Sequence, residues 1–135
     1  MSVFTRIIAQ ADVAAATILA TPTPTIGEAA FDATVTEAVI VPNAAVTAAD
    51  THFRTLTLTN EGSDGLGTTV VATLLLNAAG GDWVQGDEKA MTLSATAADL
   101  VVAAGDVLTI RETVTGNGLA HGGYEATVKG TRDIN

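Results

Sequence analysis

A regular alternation of Leu and Thr in the segment FRTLTLT, residues 53–59, constrains this chain more than any other feature. In an extended chain, successive side chains point to opposite faces, so Leu56 and Leu58 share one face and the threonines share the other. Thr is β-branched, which favours strands over helices. The segment therefore predicts a strand with one buried face, ending at the turn-forming cluster NEGSDG, residues 60–65.

Other segments show similar β-type patterns and are separated by turns rich in Gly, Asn and Asp. They are residues 31–41, 68–76, 90–95, 100–102, 107–114 and 124–129. Leu108 and Ile110 are expected to face inward, and TTVVATLLL at 68–76, apolar on both faces, predicts a buried central strand. About six or seven short strands without a strong helix predict an all-β fold, either an antiparallel β-sandwich or a jelly roll.

The first 25 residues have a different character and predict an extended N-terminal arm before a sandwich domain at 26–135. Pro22 and Pro24 fix φ in TPTPT, which predicts a stiff joint. Burying four aliphatic side chains contributes roughly 1.5–3 kcal/mol each, whereas ordering about twenty residues costs roughly 1–2 kcal/mol per residue. Either the arm is loose, or it gains main-chain hydrogen bonds by pairing with a sheet edge, its own or a neighbour's. The candidate interface residues in the arm are Phe4, Ile7, Ile8, Val13, Ile18 and Leu19.

Composition restricts the classes of partner. The net charge is −9 with only six Lys and Arg residues, which disfavours binding to nucleic acid or to an anionic membrane surface. No stretch approaches the ~20 apolar residues of a membrane span, and Gln10 and Asp12 interrupt the only apolar stretch that resembles a signal peptide. Hydrophobic residues make up 47% of the chain, more than a solitary sandwich is expected to cover, so we expect a homo-oligomer.

No set of residues has the spacing of a catalytic, cofactor or metal site. The chain has no Cys, which excludes thiolate ligands and nucleophiles. His52 and His121 are predicted to be solvated turn residues, and Glu112 and Glu125 lie on separate predicted strands. We therefore expect a protein that is not an enzyme and holds no cofactor.

One acidic loop leaves more than one interpretation open. Asp82, Asp87 and Glu88 predict a solvated loop, with a Ca²⁺ site as the alternative, although the spacing matches no EF-hand. Trp83, the only Trp, lies in this loop. It is interpreted as a lid over one end of the core, as an interface anchor or as a platform that stacks on a sugar.

The second half of the chain, about residues 51–129, resembles small β-sandwich virion proteins of tailed bacteriophages. Such proteins are capsid decoration (cement) proteins or head fibres. The segments that carry the resemblance are RTLTLTNEG at 54–62, GTTVVATL at 67–74, DEKAMTLS at 87–94 and LVVAAGDVL at 100–108.

The resemblance implies an oligomer, a trimer, on the outer surface of the virion capsid. It would bind the major capsid protein where three or six subunits meet and brace the shell, after assembly in the host cytoplasm. The family offers no catalytic residues to transfer. Two alternatives remain at this point: a carbohydrate- or receptor-binding module of a phage fibre, motivated by Trp83 and Tyr124, and a tail-tube component.

Overall fold

A computed structural model of the protein describes residues 2–10, 25–28 and 32–132. Within these residues the chain forms two antiparallel sheets, which confirms the all-β sandwich. The strands are β1 (Ser2–Gln10), β2 (Thr25–Glu28), β3 (Ala33–Pro42), β4 (Phe53–Asn60), β5 (Thr69–Leu75), β6 (Lys89–Ala90), β7 (Thr92–Leu93), β8 (Val101–Val102), β9 (Val107–Thr115) and β10 (Tyr124–Arg132). A single 3₁₀ turn, Ala97–Leu100, is the helical element of the described part.

The two sheets have different strand orders. The first runs β1-β10-β3-β6, with β8 also pairing with β3, and the second runs β2-β9-β4-β5-β7. Core side chains come from both sheets, as predicted: Leu56, Leu58 and Ile110 from the second sheet pack in one cluster with Ile40 and Val128 from the first. The alternation of Leu and Thr in β4 therefore reflects a strand with one face toward the core and one face outward.

The prediction of a buried central strand at 68–76 is wrong. β5 lies next to the short strand β7, and its outward residues Val70 and Leu75 are 42% and 36% exposed. Its register with β4 shifts, so that Val70 and Ala72 find partners and Val71 does not. This β-bulge lets Val71 and Ala72, adjacent in sequence, both face the core.

The segment at 90–95 is two short strands rather than one. β6 pairs with β3 in the first sheet, whereas β7 pairs with β5 in the second. The chain crosses between the sheets at Met91, which is buried and donates its N–H to the carbonyl of Ala38 at 2.8 Å. This crossing ties the two sheets together along one side of the sandwich.

Part of the predicted arm belongs to the sandwich. β1 pairs antiparallel with β10 along its whole length, from Ser2 opposite Arg132 to Gln10 opposite Tyr124. Of the two alternatives for the arm, residues 2–10 thus pair with a sheet edge of their own chain. In this register the backbones of Phe4, Ile7 and Ile8 lie opposite Gly130, Thr127 and Ala126. Val13, Ile18 and Leu19 lie outside the described residues.

Candidate functional site

A cluster of polar side chains lies sealed inside one end of the sandwich. Arg54 shares the inward face of β4 with Leu56, and Glu112 shares the inward face of β9 with Ile110. The register places Leu56 opposite Glu112, so Arg54 is a diagonal neighbour of that carboxylate. Arg54 Nη1 and Glu112 Oε1 are 3.9 Å apart, and both side chains are fully buried. Arg54 Nε also donates to the carbonyl of Leu119 at 2.8 Å.

His121 joins this cluster, so the prediction that it is a solvated turn residue is wrong. It is 5% exposed, and its Nε2 lies 2.8 Å from Glu112 Oε1. Its Nδ1 accepts a hydrogen bond from the N–H of Gly123 at 3.1 Å. Because a backbone N–H can only donate, Nδ1 carries no proton, and the network assigns a neutral ring that donates from Nε2 to the carboxylate.

His52, in contrast, is the exposed turn histidine that the sequence predicts. Its Nδ1 accepts the N–H of Asn117 at 2.9 Å and holds the turn after β9. Gly116, beside it, has φ of 61° and lies against the carbonyl of Thr51, so a side chain there would meet backbone.

Tyr124 completes the cluster from β10. Its hydroxyl lies 3.5 Å from Glu112 Oε2, and the residue is fully buried. Burial raises the pKa of the Tyr124 phenol well above its usual range, and the neighbouring charge of Glu112 raises this pKa further. The phenol therefore stays protonated and donates to the carboxylate.

Trp83 covers the cluster from the loop between β5 and β6. The indole is 1% exposed, with ring centroids 5.4 Å from His121 and 5.9 Å, edge to face, from Tyr124. Its backbone forms two hydrogen bonds with Val46, at 3.0 and 2.9 Å. The lid interpretation fits this position. The interface-anchor and sugar-platform interpretations are wrong for this structure, since the ring presents almost no surface to a partner.

The sealed cluster can fix loops in place but offers no atom to a substrate. Glu112 forms an ion pair with Arg54 and hydrogen bonds with His121 and Tyr124, and each contact is buried. Glu125 lies exposed on the other face of β10, so the two carboxylates do not meet.

Among the residues of known placement, no three His, Asp or Glu side chains are arranged to hold a metal ion. In the acidic loop, Asp82 Oδ1 accepts the N–H of Ala48 at 2.8 Å.

The outer face of the second sheet is the other candidate site, and we call it the threonine face. Its residues lie in rows across the strands, set by the register of β9, β4, β5 and β7. The rows are Thr113, Thr55 and Leu75; Arg111, Thr57, Thr73 and Thr92; and Thr109, Thr59 and Val70. In the last row Thr109 and Thr59 are buried, with 1% and 2% exposure. The exposed guanidinium of Arg111 is paired with Glu61, whose Oε1 accepts from Arg111 Nε at 3.1 Å and from Thr109 Oγ1 at 3.0 Å.

No family model, curated protein or solved structure matches this chain. In the described ranges, no helix has both the length and the apolar character needed to span a membrane.

Sequence reasoning missed the buried cluster, although part of its signal was present. Arg54 lies two residues before Leu56 and therefore shares its face of the strand. Glu112 lies two residues after Ile110 and shares that face in the same way. Alternation alone thus placed both charges inward. Two opposite charges on inward faces of separate strands predict a buried pair. His121 carried no such signal, because it lies in a loop without a period.

Proposed function

We propose that this protein is a structural virion protein that decorates the outer surface of a capsid. It acts as an oligomer, a trimer in this proposal, that binds the major capsid protein and stabilises the shell. The observation that carries the proposal is the exposure of aliphatic side chains on the outer face of the second sheet. Val70 and Leu75 stand 42% and 36% exposed on the outer face of β5.

The polar residues of the molecule also support a structural role. The groups with acid–base potential in the sealed cluster, Glu112, His121 and Tyr124, are each used to satisfy one another. Such a network rigidifies the fold and specifies one arrangement of its loops. A coat protein needs this rigidity, because it must hold its shape while the shell is under internal pressure.

Surface charge supports the same function. The chain carries −9, and exposed carboxylates such as Asp50, Asp64, Asp87 and Glu88 surround the sandwich. A strongly acidic outer surface keeps a densely decorated particle soluble and repels free nucleic acid. The same surface would serve poorly in a protein that holds the packaged genome.

The test is binding to capsids of the phage that encodes the chain. Purified protein is mixed with empty shells and centrifuged, and a saturable amount is expected to sediment with the shells and to raise their resistance to heat. Leu66→Ser, which changes an 80% exposed loop residue, serves as a surface control. Protein that stays in the supernatant at every concentration would contradict the proposal, and rings or tubes in negative stain would favour a tail component instead.

A further inference from the structure

We infer that His121 and Glu112 form a pH-sensitive switch, in which uptake of one proton releases the loop between β9 and β10 and uncovers Trp83. The loop comprises residues 116–123. The inference concerns a conformational change of the fold itself, so it goes beyond the proposed function and does not rest on it.

Few contacts hold the loop closed, and its composition allows it to move. Four of its eight residues are glycine, which changes its backbone dihedrals more readily than other residues. Arg54 Nε donates to the carbonyl of Leu119 at 2.8 Å, and the N–H of Asn117 donates to His52 Nδ1 at 2.9 Å. Water can replace the contact with His52, which is exposed, whereas the contacts of His121 lie in the sealed cluster.

The hydrogen bonds around His121 leave no place for a further proton in the closed loop. Its Nδ1 accepts the N–H of Gly123 at 3.1 Å, and its Nε2 donates to Glu112 Oε1 at 2.8 Å. A proton added at Nδ1 would point at the N–H of Gly123, which is itself a donor. The charged ring therefore fits only if Gly123, the last residue of the loop, turns away.

The groups that face the ring determine the direction of the change. They are Glu112 on β9, Arg54 on β4 and the neutral phenol of Tyr124 on β10. Arg54 Nη1 and His121 Nε2 lie 3.9 and 2.8 Å from the same oxygen, Glu112 Oε1, so a charged ring would share one carboxylate with the guanidinium. The single negative charge balances one positive charge, and a second positive charge sealed from water is costly.

Opening of the loop removes this cost. In the open form, water solvates the charged ring, and the proton binds as it does to an ordinary histidine, which titrates near about pH 6.5. Because the open form takes up the proton and the closed form resists it, falling pH shifts the equilibrium toward the open form. The rings of His121 and Trp83 lie 5.4 Å apart, so departure of the imidazole exposes the indole.

The fluorescence of Trp83, the only Trp, tests the switch directly. As the pH falls from about 7.5 to about 5, across the ordinary range of histidine, we expect the emission to shift to longer wavelength and quenching by acrylamide to rise several-fold. Far-UV circular dichroism is expected to keep the strand signal, and the change is expected to reverse at neutral pH. Unchanged emission and quenching over this range would overturn the inference, as would a simultaneous loss of the strand signal.

Two matched substitutions assign the change to one histidine. Gln offers one acceptor and one donor without titrating, so His121→Gln can keep both contacts of the ring at every pH. We expect His121→Gln to abolish the acid shift, whereas His52→Gln, at the exposed turn, is expected to keep it. An acid shift that persists in His121→Gln, or that disappears in His52→Gln, would overturn the inference.

Amide hydrogen exchange of the unmodified chain covers the case in which His121→Gln fails to fold. The N–H of Gly123 lies in the switch, whereas the N–H of Met91, bonded to the carbonyl of Ala38 at 2.8 Å, lies at the crossing between the sheets. Coupling to one proton is expected to lower the protection factor of Gly123 by up to about tenfold per pH unit in the acid range, with little change at Met91. Equal changes at the two amides, or no change at Gly123, would overturn the inference.

Discussion

His121 Nε2 lies 2.8 Å from Glu112 Oε1, and both side chains are sealed from solvent at one end of the sandwich. The contact joins β9 to the loop that leads into β10. Through Glu112 it reaches Arg54 and Tyr124, so a loop residue, two strands of the second sheet and one strand of the first share a single carboxylate. The arrangement of the strands and the loop at this end of the molecule depends on their shared contacts with Glu112.

Replacing His121 by Phe tests whether the ring holds the loop. The substitution keeps an aromatic shape beside Trp83 but leaves the N–H of Gly123 without its acceptor and removes the His121 donor from Glu112. An unsatisfied buried polar group costs about 1–3 kcal/mol, so the free energy of unfolding in urea is expected to fall by that much. His52→Phe, at the exposed turn, is the control and is expected to change it less. Equal effects would contradict a special role for His121.

The buried pair of Arg54 and Glu112 is expected to respond differently to one substitution and to two. Glu112→Leu removes the carboxylate from a fully buried guanidinium and is expected to lower the free energy of unfolding by about 3–5 kcal/mol. Arg54→Met together with Glu112→Leu removes both charges and is expected to recover much of that loss. The check is a double-mutant cycle measured by chemical denaturation; additive effects of the two changes would argue against coupling.

Because of Tyr124, the free energy of unfolding is expected to depend on pH in the alkaline range. Its pKa is raised in the fold above the ordinary value of about 10, because burial disfavours the phenolate. The unfolded chain therefore loses the phenolic proton first, and stability that is fully present below about pH 10 is lost as pH rises further. Since Tyr124 is the only Tyr, absorbance at 295 nm reports it alone.

We expect the tyrosinate absorbance to appear together with the loss of far-UV circular dichroism, in one transition. Tyr124→Phe removes this titration and is expected to flatten the alkaline loss of stability. Tyrosinate that forms near pH 10 in a chain with intact dichroism would show that the phenol is accessible to solvent.

Gly80 is expected to tolerate no side chain. A Cβ built there would lie 1.7 Å from the carbonyl oxygen of Leu75, which is backbone and cannot swing aside. Gly80→Ala should therefore lower the melting temperature, by an amount that corresponds to roughly 1–3 kcal/mol of overpacking strain. Ala79→Ser, at the exposed neighbouring position, is expected to change the melting temperature little. Equal melting temperatures for the two variants would show that the turn at 77–80 relaxes freely.

Much of the fold could be predicted because, in a sheet with one buried face, every second residue faces the core and is apolar. Leu56 and Leu58 on β4 and Leu108 and Ile110 on β9 all face inward as predicted. The bulge at Val71 could not be read from the sequence, because Val70 and Val71 are the same residue type and the pattern does not show which of them faces the core.

The buried cluster was less predictable because its members are brought together by register, not by spacing. Arg54 and Glu112 are 58 positions apart and meet only because β4 and β9 pair with Leu56 opposite Glu112. Trp83 looked available to a partner because it lies in a loop of polar residues, but that loop folds over the end of the core. Its bridge to Val46 holds the indole there.

The most direct test of the central proposal is a cryo-EM reconstruction of the phage capsid with and without added protein. The account predicts ordered density outside the shell where three or six capsid subunits meet, in clusters of sandwiches. Shells that are identical with and without saturating protein, together with a chain that sediments as a monomer, would contradict the account.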